Sequence, residues 1–231
     1  REVHGRRCGD DRQAEERMIV RHFRWIGGGM VAALGQALGM IKALAALLFV
    51  VPLTSDQGWQ VLEYRGIPAH NVRFSEAGLA IQVTRSAAPV IYRLPASMTV
   101  RSVEARGRID GRLNVSASQQ GQPGFDDFAL RVGLVESGPR RPGFMQRRLA
   151  PEWMRTLFSL APPGTGVSRV HFFNLAVGSA QVGNRRSHPS SDLLYERVIA
   201  VPQADGRFDW RAELDAPTQV IAIWLASDGD D

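Results

Sequence analysis

The chain contains almost no lysine and almost no cysteine. Lys42 is the only lysine, and Cys8 is the only cysteine. A single cysteine excludes an intramolecular disulfide and any zinc site that needs several cysteine ligands. The glycine-rich phosphate loop, the dinucleotide-binding glycine motif, the zinc-protease motif and the Gly-x-Ser-x-Gly nucleophile elbow are also missing. The sequence therefore gives no strong signal of catalysis, and apart from a candidate calcium site it predicts no cofactor.

A large net excess of positive charge on the folded part of the chain is also lacking. The formal net charge is +5, but residues 56–231 hold 20 arginines against 18 acidic residues. A nucleic-acid-binding protein usually carries its excess positive charge on the folded domain. The charge distribution therefore predicts no nucleic-acid partner.

Residues 25–55 form an apolar segment that only Lys42 interrupts. A start at Met40 would give a secretory signal with a short positive region and an apolar stretch from Ala43 to Leu53. An earlier start would give a span long enough to cross a membrane, with Arg21 and Arg24 on its cytoplasmic side. Both interpretations predict a periplasmic or exported domain, with membrane contact through this segment. The alternative is an apolar helix that packs on a soluble domain.

Residues 1–24 are polar and rich in arginine, and they are expected to be disordered or untranslated. Residues 56–231 are expected to form one domain, because no second domain, repeat or low-complexity segment is visible.

Short runs of alternating apolar and polar residues dominate the chain beyond Asp56. Clear examples are Leu79–Thr84, Val90–Leu94 and Phe128–Leu134. About eight such runs, separated by polar turns, predict a mainly β fold: an antiparallel β-sandwich of the jelly-roll type. One short helix is expected from Pro151 to about Leu160, because proline is tolerated in the first turn of a helix.

Acidic residues occur in two clusters. Asp126 and Asp127 begin a predicted strand and precede Arg131, and adjacent residues of a strand point to opposite faces. One of the two could cap a turn while the other pairs with Arg131 or binds calcium. Asp228 and Asp230 follow the last apolar run; they are candidate calcium ligands, since calcium prefers oxygen, or part of a solvated tail.

Two further segments hold candidate binding residues. His171 and Phe173 lie on one face of a predicted strand; if this face is exposed, they resemble a sugar-stacking platform, and otherwise the neighbouring aromatic residues belong to the core. Arg185 and Arg186 lie in a predicted loop, where they could bind an acidic group or could simply be solvated.

The segments Asp126–Val132 and Ile223–Asp231, together with Trp59 and the step Ile67-Pro68, resemble a bacterial family designated domain of unknown function 3047. The resemblance covers residues 59–231. It implies export and a jelly-roll sandwich similar to carbohydrate-binding modules. Because the family pattern continues with a threonine and a closing strand after the Asp-rich turn, the resemblance also implies that the domain is truncated at its C-terminus. It implies no activity.

These observations support three hypotheses about function. The first is a non-catalytic module that binds a glycan or another component of the cell envelope. The second is a hydrolase of envelope polysaccharide that uses Asp126, Asp127 or the C-terminal acidic residues as acid and base. The third is a purely structural envelope protein.

Overall fold

A computed structural model describes residues 16–28, 46–122, 124–125, 127–189 and 191–229. Within these residues the chain forms 13 strands and two short α-helices. In chain order they are β1 (Glu16–Gly28), β2 (Ala46–Val50), β3 (Trp59–Val61), β4 (Asn71–Ser75), β5 (Gly78–Val83), β6 (Ser86–Ala87), β7 (Val90–Asp110), β8 (Leu130–Gly138), α1 (Phe144–Leu149), α2 (Glu152–Ser159), β9 (Gly166–Leu175), β10 (Arg185–His188), β11 (Ser191–Ala200), β12 (Arg207–Ala226) and β13 (Asp228–Gly229).

Eleven of the strands belong to one sheet. Nine follow the order β10-β11-β9-β8-β12-β7-β1-β5-β4, while β2 pairs with β1 and β3 pairs with β7. The pairing of β9 with β11 is parallel, and the other strand pairs are antiparallel. The predicted fold class, mainly β with antiparallel pairing and a short helix, is confirmed.

The two longest strands, β7 and β12, pair with each other through two irregular segments. Between the pairs Glu213–Ser102 and Thr218–Val100, β12 contains extra residues that include Pro217. Between the pairs Val220–Met98 and Ala222–Arg93, the extra residues are in β7 and include Pro95. Bulges of this kind bend a strand, and proline is tolerated there because no ladder hydrogen bond is lost.

The two faces of the sheet bury two different apolar clusters. The larger cluster contains Leu79 and Ile81 of β5 together with Phe173 of β9, although these strands are far apart in the sheet order. The second cluster contains Phe172 of β9 and is covered by Leu157 of α2. Adjacent residues of β9 therefore face different cores, as the pleat of a strand requires. We call the face that α2 covers the outer face.

The N-terminal part of the chain differs from the expectation. β1 lies between β7 and β5 and pairs with both, so the sheet extends to Glu16 and does not begin near residue 56. β2 pairs with β1, and Val51 and Leu53 just after it are buried in the larger core. Both ends of the expected apolar helix are therefore extended, because backbone pairing within the sheet satisfies the hydrogen bonds of these residues. The rest of that segment, residues 29–45, lies outside the described residues.

No helix among the described residues has the length and apolar character that crossing a membrane requires.

Candidate functional site

A cavity of about 760 Å³ lies on the outer face of the sheet. Its floor includes Phe172 of β9, Trp224 of β12 and Arg131 of β8. One wall is the first turn of α2, and another is the segment that follows β3. We call this cavity the groove. A large concave site with aromatic walls and a few polar groups is the usual form of a ligand-binding site.

The floor depends on a glycine in the middle of β8. Gly133 pairs with Phe172 on one side and with Trp224 on the other. A Cβ atom at position 133 would lie 2.7 Å from Cε1 of Phe172. The missing side chain therefore leaves room for the Phe172 ring to lie against the backbone of β8. Phe172 and Trp224 are only 4% and 5% exposed, so they form the bottom of the groove.

Two half-buried aromatic side chains line the walls above this floor. Trp153 is in the first turn of α2, a position fixed by Leu157 and Leu160, which are buried in the second core. This confirms the prediction of a short helix after Pro151. Tyr64 belongs to the segment after β3 and lines the opposite wall. Both rings have accessible surface that a ligand could cover.

Three side chains that can exchange protons also line the groove: Asp127, Glu152 and His188. Asp127 and His188 are half-buried, whereas Glu152 is exposed. Asp127 is in the loop before β8, and its backbone carbonyl accepts a 2.8 Å hydrogen bond from Nε2 of the buried Gln120. His188 ends β10 and Glu152 begins α2. Segments far apart in the chain therefore converge at one place.

Beside the floor, on the same face of the sheet, one buried carboxylate binds two arginines. Glu196 of β11 is 2% exposed; its Oε1 accepts a 2.5 Å hydrogen bond from Nη1 of Arg131, and its Oε2 accepts a 2.7 Å hydrogen bond from Nε of Arg186. Nδ2 of Asn174 lies 3.3 Å from the same Oε1. A buried ion needs this kind of compensation, because its removal from water is costly. Arg131 also stacks on Phe128, with 4.8 Å between its guanidinium carbon and the ring centroid.

This network connects the groove floor with the loop that carries Asp127. Arg186 donates a further hydrogen bond to the carbonyl oxygen of Gly121. Nε2 of Gln181 donates a hydrogen bond to the carbonyl oxygen of Gln120. The side chain of Gln120 in turn donates to the backbone carbonyl of Asp127. The Arg186 side chain, a candidate for binding an acidic ligand group, is paired in the structure with Glu196 of the same chain.

The remaining predicted basic residue, Arg185, points away from the groove. Its Nη1 donates hydrogen bonds of 2.9 and 3.0 Å to the two carboxylate oxygens of Asp215. The hydrogen bond and the negative charge of Asp215 raise the pKa of Arg185 above its ordinary value. The segment around both arginines was expected to be a loop, but it forms β10 at the edge of the sheet.

The structure does not support a sugar-stacking platform at His171 and Phe173. Phe173 is 1% exposed and stacks on Trp210, with 5.9 Å between ring centroids. His171 is half-buried on the same face of β9, and its Nε2 lies 2.9 Å from Oε2 of Glu136. The interpretation that the aromatic pair belongs to the core is the one that agrees with the structure, since Phe172 is buried as well. The hypothesis of an exposed platform here is wrong.

Asp126, Asp230 and the side chain of Asp228 lie outside the described residues. Among the side chains that are described, no group of three or more His, Cys, Asp or Glu residues could hold a metal ion.

A buried Ser–His contact lies beside the groove but has the geometry of a structural element. Nδ1 of His70 is 2.8 Å from Oγ of Ser86, and Nε2 is 2.8 Å from the carbonyl oxygen of Ser227. His70 is 6% exposed and Ser86 is 2% exposed, so the hydroxyl cannot reach a substrate. The contact instead holds the chain after β12 against β6, whose pairing with β13 continues the same attachment.

Sequence reasoning finds Asp127 and Arg131 but misses most of the groove. The sequence predicts Trp153 in the short helix and His188 near the loop of Arg185 and Arg186. It assigns no role to Tyr64 or Glu196. No local motif connects these four residues, because their meeting depends on the strand order of the sheet. The one local signal is Gly133 within an otherwise apolar strand, which is a typical sign of close approach by another group.

Comparison with known proteins gives no relative for this chain: no protein-family model, no curated protein and no solved structure matches it. The resemblance to the family designated domain of unknown function 3047 accordingly stays a prediction from short motifs.

Proposed function

We propose that this protein is a binding module for a glycan or another carbohydrate-containing component of the cell envelope, and that the groove is its binding site. The observation that carries the proposal is that the half-buried rings of Tyr64 and Trp153 line the same cavity as Asp127 and His188. Aromatic rings cover the apolar faces of a sugar, while carboxylate and imidazole groups bind its hydroxyls.

The size of the groove also suits a carbohydrate. Its volume of about 760 Å³ is within the usual range for small-molecule sites, which is roughly 300–1,000 Å³. The sheet beneath the floor and the buried ion network beside it hold the floor in place, so little ordering is needed when a ligand binds. Location outside the cytoplasm is a separate prediction from the apolar segment, and the binding proposal does not depend on it.

Glycan-array binding of the full chain tests the proposal. We expect retention on a subset of envelope-type oligosaccharides, and we expect Trp153→Ala to reduce it at least about tenfold because one stacking face is lost. Phe125→Ala is the matched control, since Phe125 is 40% exposed and does not line the groove. Absence of binding to any glycan, or equal losses in both variants, would count against the proposal.

A hydrolase of envelope polysaccharide is the second candidate, because the two carboxylates Asp127 and Glu152 line the same groove. Glycoside hydrolysis uses two such groups on either side of the scissile bond. If the protein is an enzyme, Asp127→Asn and Glu152→Gln will abolish release of reducing ends from a glycan that both variants still bind. A wild-type protein that binds the glycan and releases no reducing ends would exclude this candidate.

A further inference from the structure

The positive charge of residues 56–231 is concentrated in one short segment around α1. Residues 139–155 contain five arginines and a single acidic residue, Glu152. That excess is larger than the excess of the whole stretch 56–231, so the remainder of that stretch carries net negative charge. The charge of the folded region is therefore strongly asymmetric, which is typical of a surface that attracts an anionic partner.

The same segment exposes two apolar side chains to solvent. Met145 and Leu149 of α1 are 65% and 78% exposed. They are four positions apart, so they share one face of the helix. Exposed Arg141 and Arg148 lie beside them in the chain. We call Arg141, Met145, Arg148, Leu149 and Arg155 the basic apolar surface.

The arginines of this surface are available for a partner. Arg140, next to them, pairs with Asp192 at 3.0 Å. By contrast, Arg141, Arg148 and Arg155 form no ion pair within the described part of the chain. Arg141 and Arg155 also line one cavity of about 430 Å³, whose other walls include Met154, Phe158 and Pro162. An apolar cavity with two unpaired guanidinium groups suits a phosphate that carries an apolar chain.

We propose that the basic apolar surface docks on an anionic lipid bilayer. An anionic bilayer can contact both parts of this surface. Its negative charge attracts the arginines, and its acyl boundary accepts the apolar side chains of Met145 and Leu149. A nucleic acid would satisfy the arginines but would leave the two apolar side chains in water. The groove and the 430 Å³ cavity share Ala150 and Arg155. Docking would therefore place the opening of the groove next to the membrane.

Vesicle flotation of the full chain tests this proposal. Vesicles of phosphatidylcholine alone are compared with vesicles that also contain phosphatidylglycerol. We expect binding to the anionic vesicles only, with a strong decrease as salt rises. The combined variant Arg141→Gln, Arg148→Gln, Arg155→Gln should weaken partitioning by on the order of 100-fold, since each arginine near an anionic surface contributes about fivefold. Met145→Ser with Leu149→Ser should weaken it by about tenfold.

The matched control removes the same charge elsewhere, by Arg73→Gln, Arg93→Gln and Arg101→Gln, all at exposed positions. It should change partitioning no more than about fivefold. Equal binding to both kinds of vesicle would overturn the proposal. Binding that survives both variants of the basic apolar surface would overturn it too, because the membrane contact would then come from another part of the chain. Binding of duplex DNA through the same arginines, with no binding to vesicles, would overturn it as well. Unchanged circular dichroism spectra will show that each variant is folded.

Discussion

At the scale of single residues, Glu196 illustrates how this protein buries charge. One carboxylate with almost no exposure serves two arginines, each of which also contacts a second feature: Arg131 the ring of Phe128, and Arg186 the loop at Gly121. Such an arrangement contributes less to stability than its short distances suggest, because desolvation offsets much of the attraction. Its value lies in fixing the groove floor and the Asp127 loop relative to each other.

The first prediction concerns this carboxylate. Glu196→Gln removes the negative charge but keeps the shape, so two arginines remain without compensation, and we expect a loss of about 3–5 kcal/mol in the free energy of unfolding. Urea denaturation measures it. Asp192→Asn is the control, because the carboxylate of Asp192 is 74% exposed in its pair with Arg140; it should cost less than about 1 kcal/mol. Equal losses for the two variants would contradict the account of the buried network.

The second prediction concerns His70 and pH. Burial lowers the pKa of His70 below its ordinary value of 6.5, and the hydrogen bond with the Ser227 carbonyl oxygen offsets this only in part. The unfolded chain therefore takes up a proton at a higher pH than the folded chain. The neutral His70 therefore contributes to the free energy of unfolding above pH 6.5, and this contribution is lost as the pH falls below that value.

Chemical denaturation at about pH 8 and at about pH 5.5, on either side of the ordinary histidine pKa, measures this effect. The decrease in unfolding free energy between the two should be smaller in His70→Gln than in the wild type. His171→Gln serves as the control for general loss of a histidine. A pH dependence that is identical in the wild type and in His70→Gln would show that His70 does not titrate as described.

At the scale of elements, the position of β1 is the least expected feature of the fold. β1 pairs with β5 and β7 in the interior of the sheet, so it cannot be removed without breaking two ladders. A leader cleaved near residue 55 would also remove β2 and the buried Val51 and Leu53. The structure therefore predicts that a chain without residues 1–55 is unstable, whereas the prediction of a cleaved leader requires that the same shortened chain is a stable domain.

The third prediction uses this conflict. A chain that lacks residues 1–55 should lose cooperative unfolding, because β5 and β7 no longer have their shared partner strand. A chain that lacks residues 1–15 keeps all 13 strands and should unfold cooperatively. Thermal denaturation monitored by circular dichroism compares the unfolding of the two shortened chains. If the chain without residues 1–55 is as stable as the chain without residues 1–15, β1 is not part of the stable domain.

Local patterns predict the elements whose residues alternate or repeat clearly. The strands around Leu79 and Val90 and the helix after Pro151 are where the sequence places them. β1 is missed because its arginines and the apolar run after it have the composition of an export leader. β10 is missed because its residues, Arg185 to His188, have no apolar side to alternate with a polar one. Both strands are specified by their neighbours in the sheet rather than by their own composition.

At the scale of the whole molecule, the strand order brings the functional candidates together. β8, β9 and β12 lie side by side in the sheet but come from distant parts of the chain, and they supply Arg131, Phe172 and Trp224 to one floor. α2 then crosses this face and adds Trp153. The acidic residue Asp127 can be found in the sequence as a candidate, but its aromatic companions cannot, since no spacing along the chain reports the curvature and order of the sheet.

The measurement that tests the central claim most directly is a nuclear magnetic resonance titration of the tryptophan indole groups with a glycan retained on the array. Trp153 and Trp224 line the groove, whereas Trp59 and Trp210 do not. Each indole signal is assigned by a single Trp→Phe variant. The account predicts that the signals of Trp153 and Trp224 shift on binding, while those of Trp59 and Trp210 stay in place. Shifts confined to Trp59 or Trp210, with the groove signals unchanged, would contradict it.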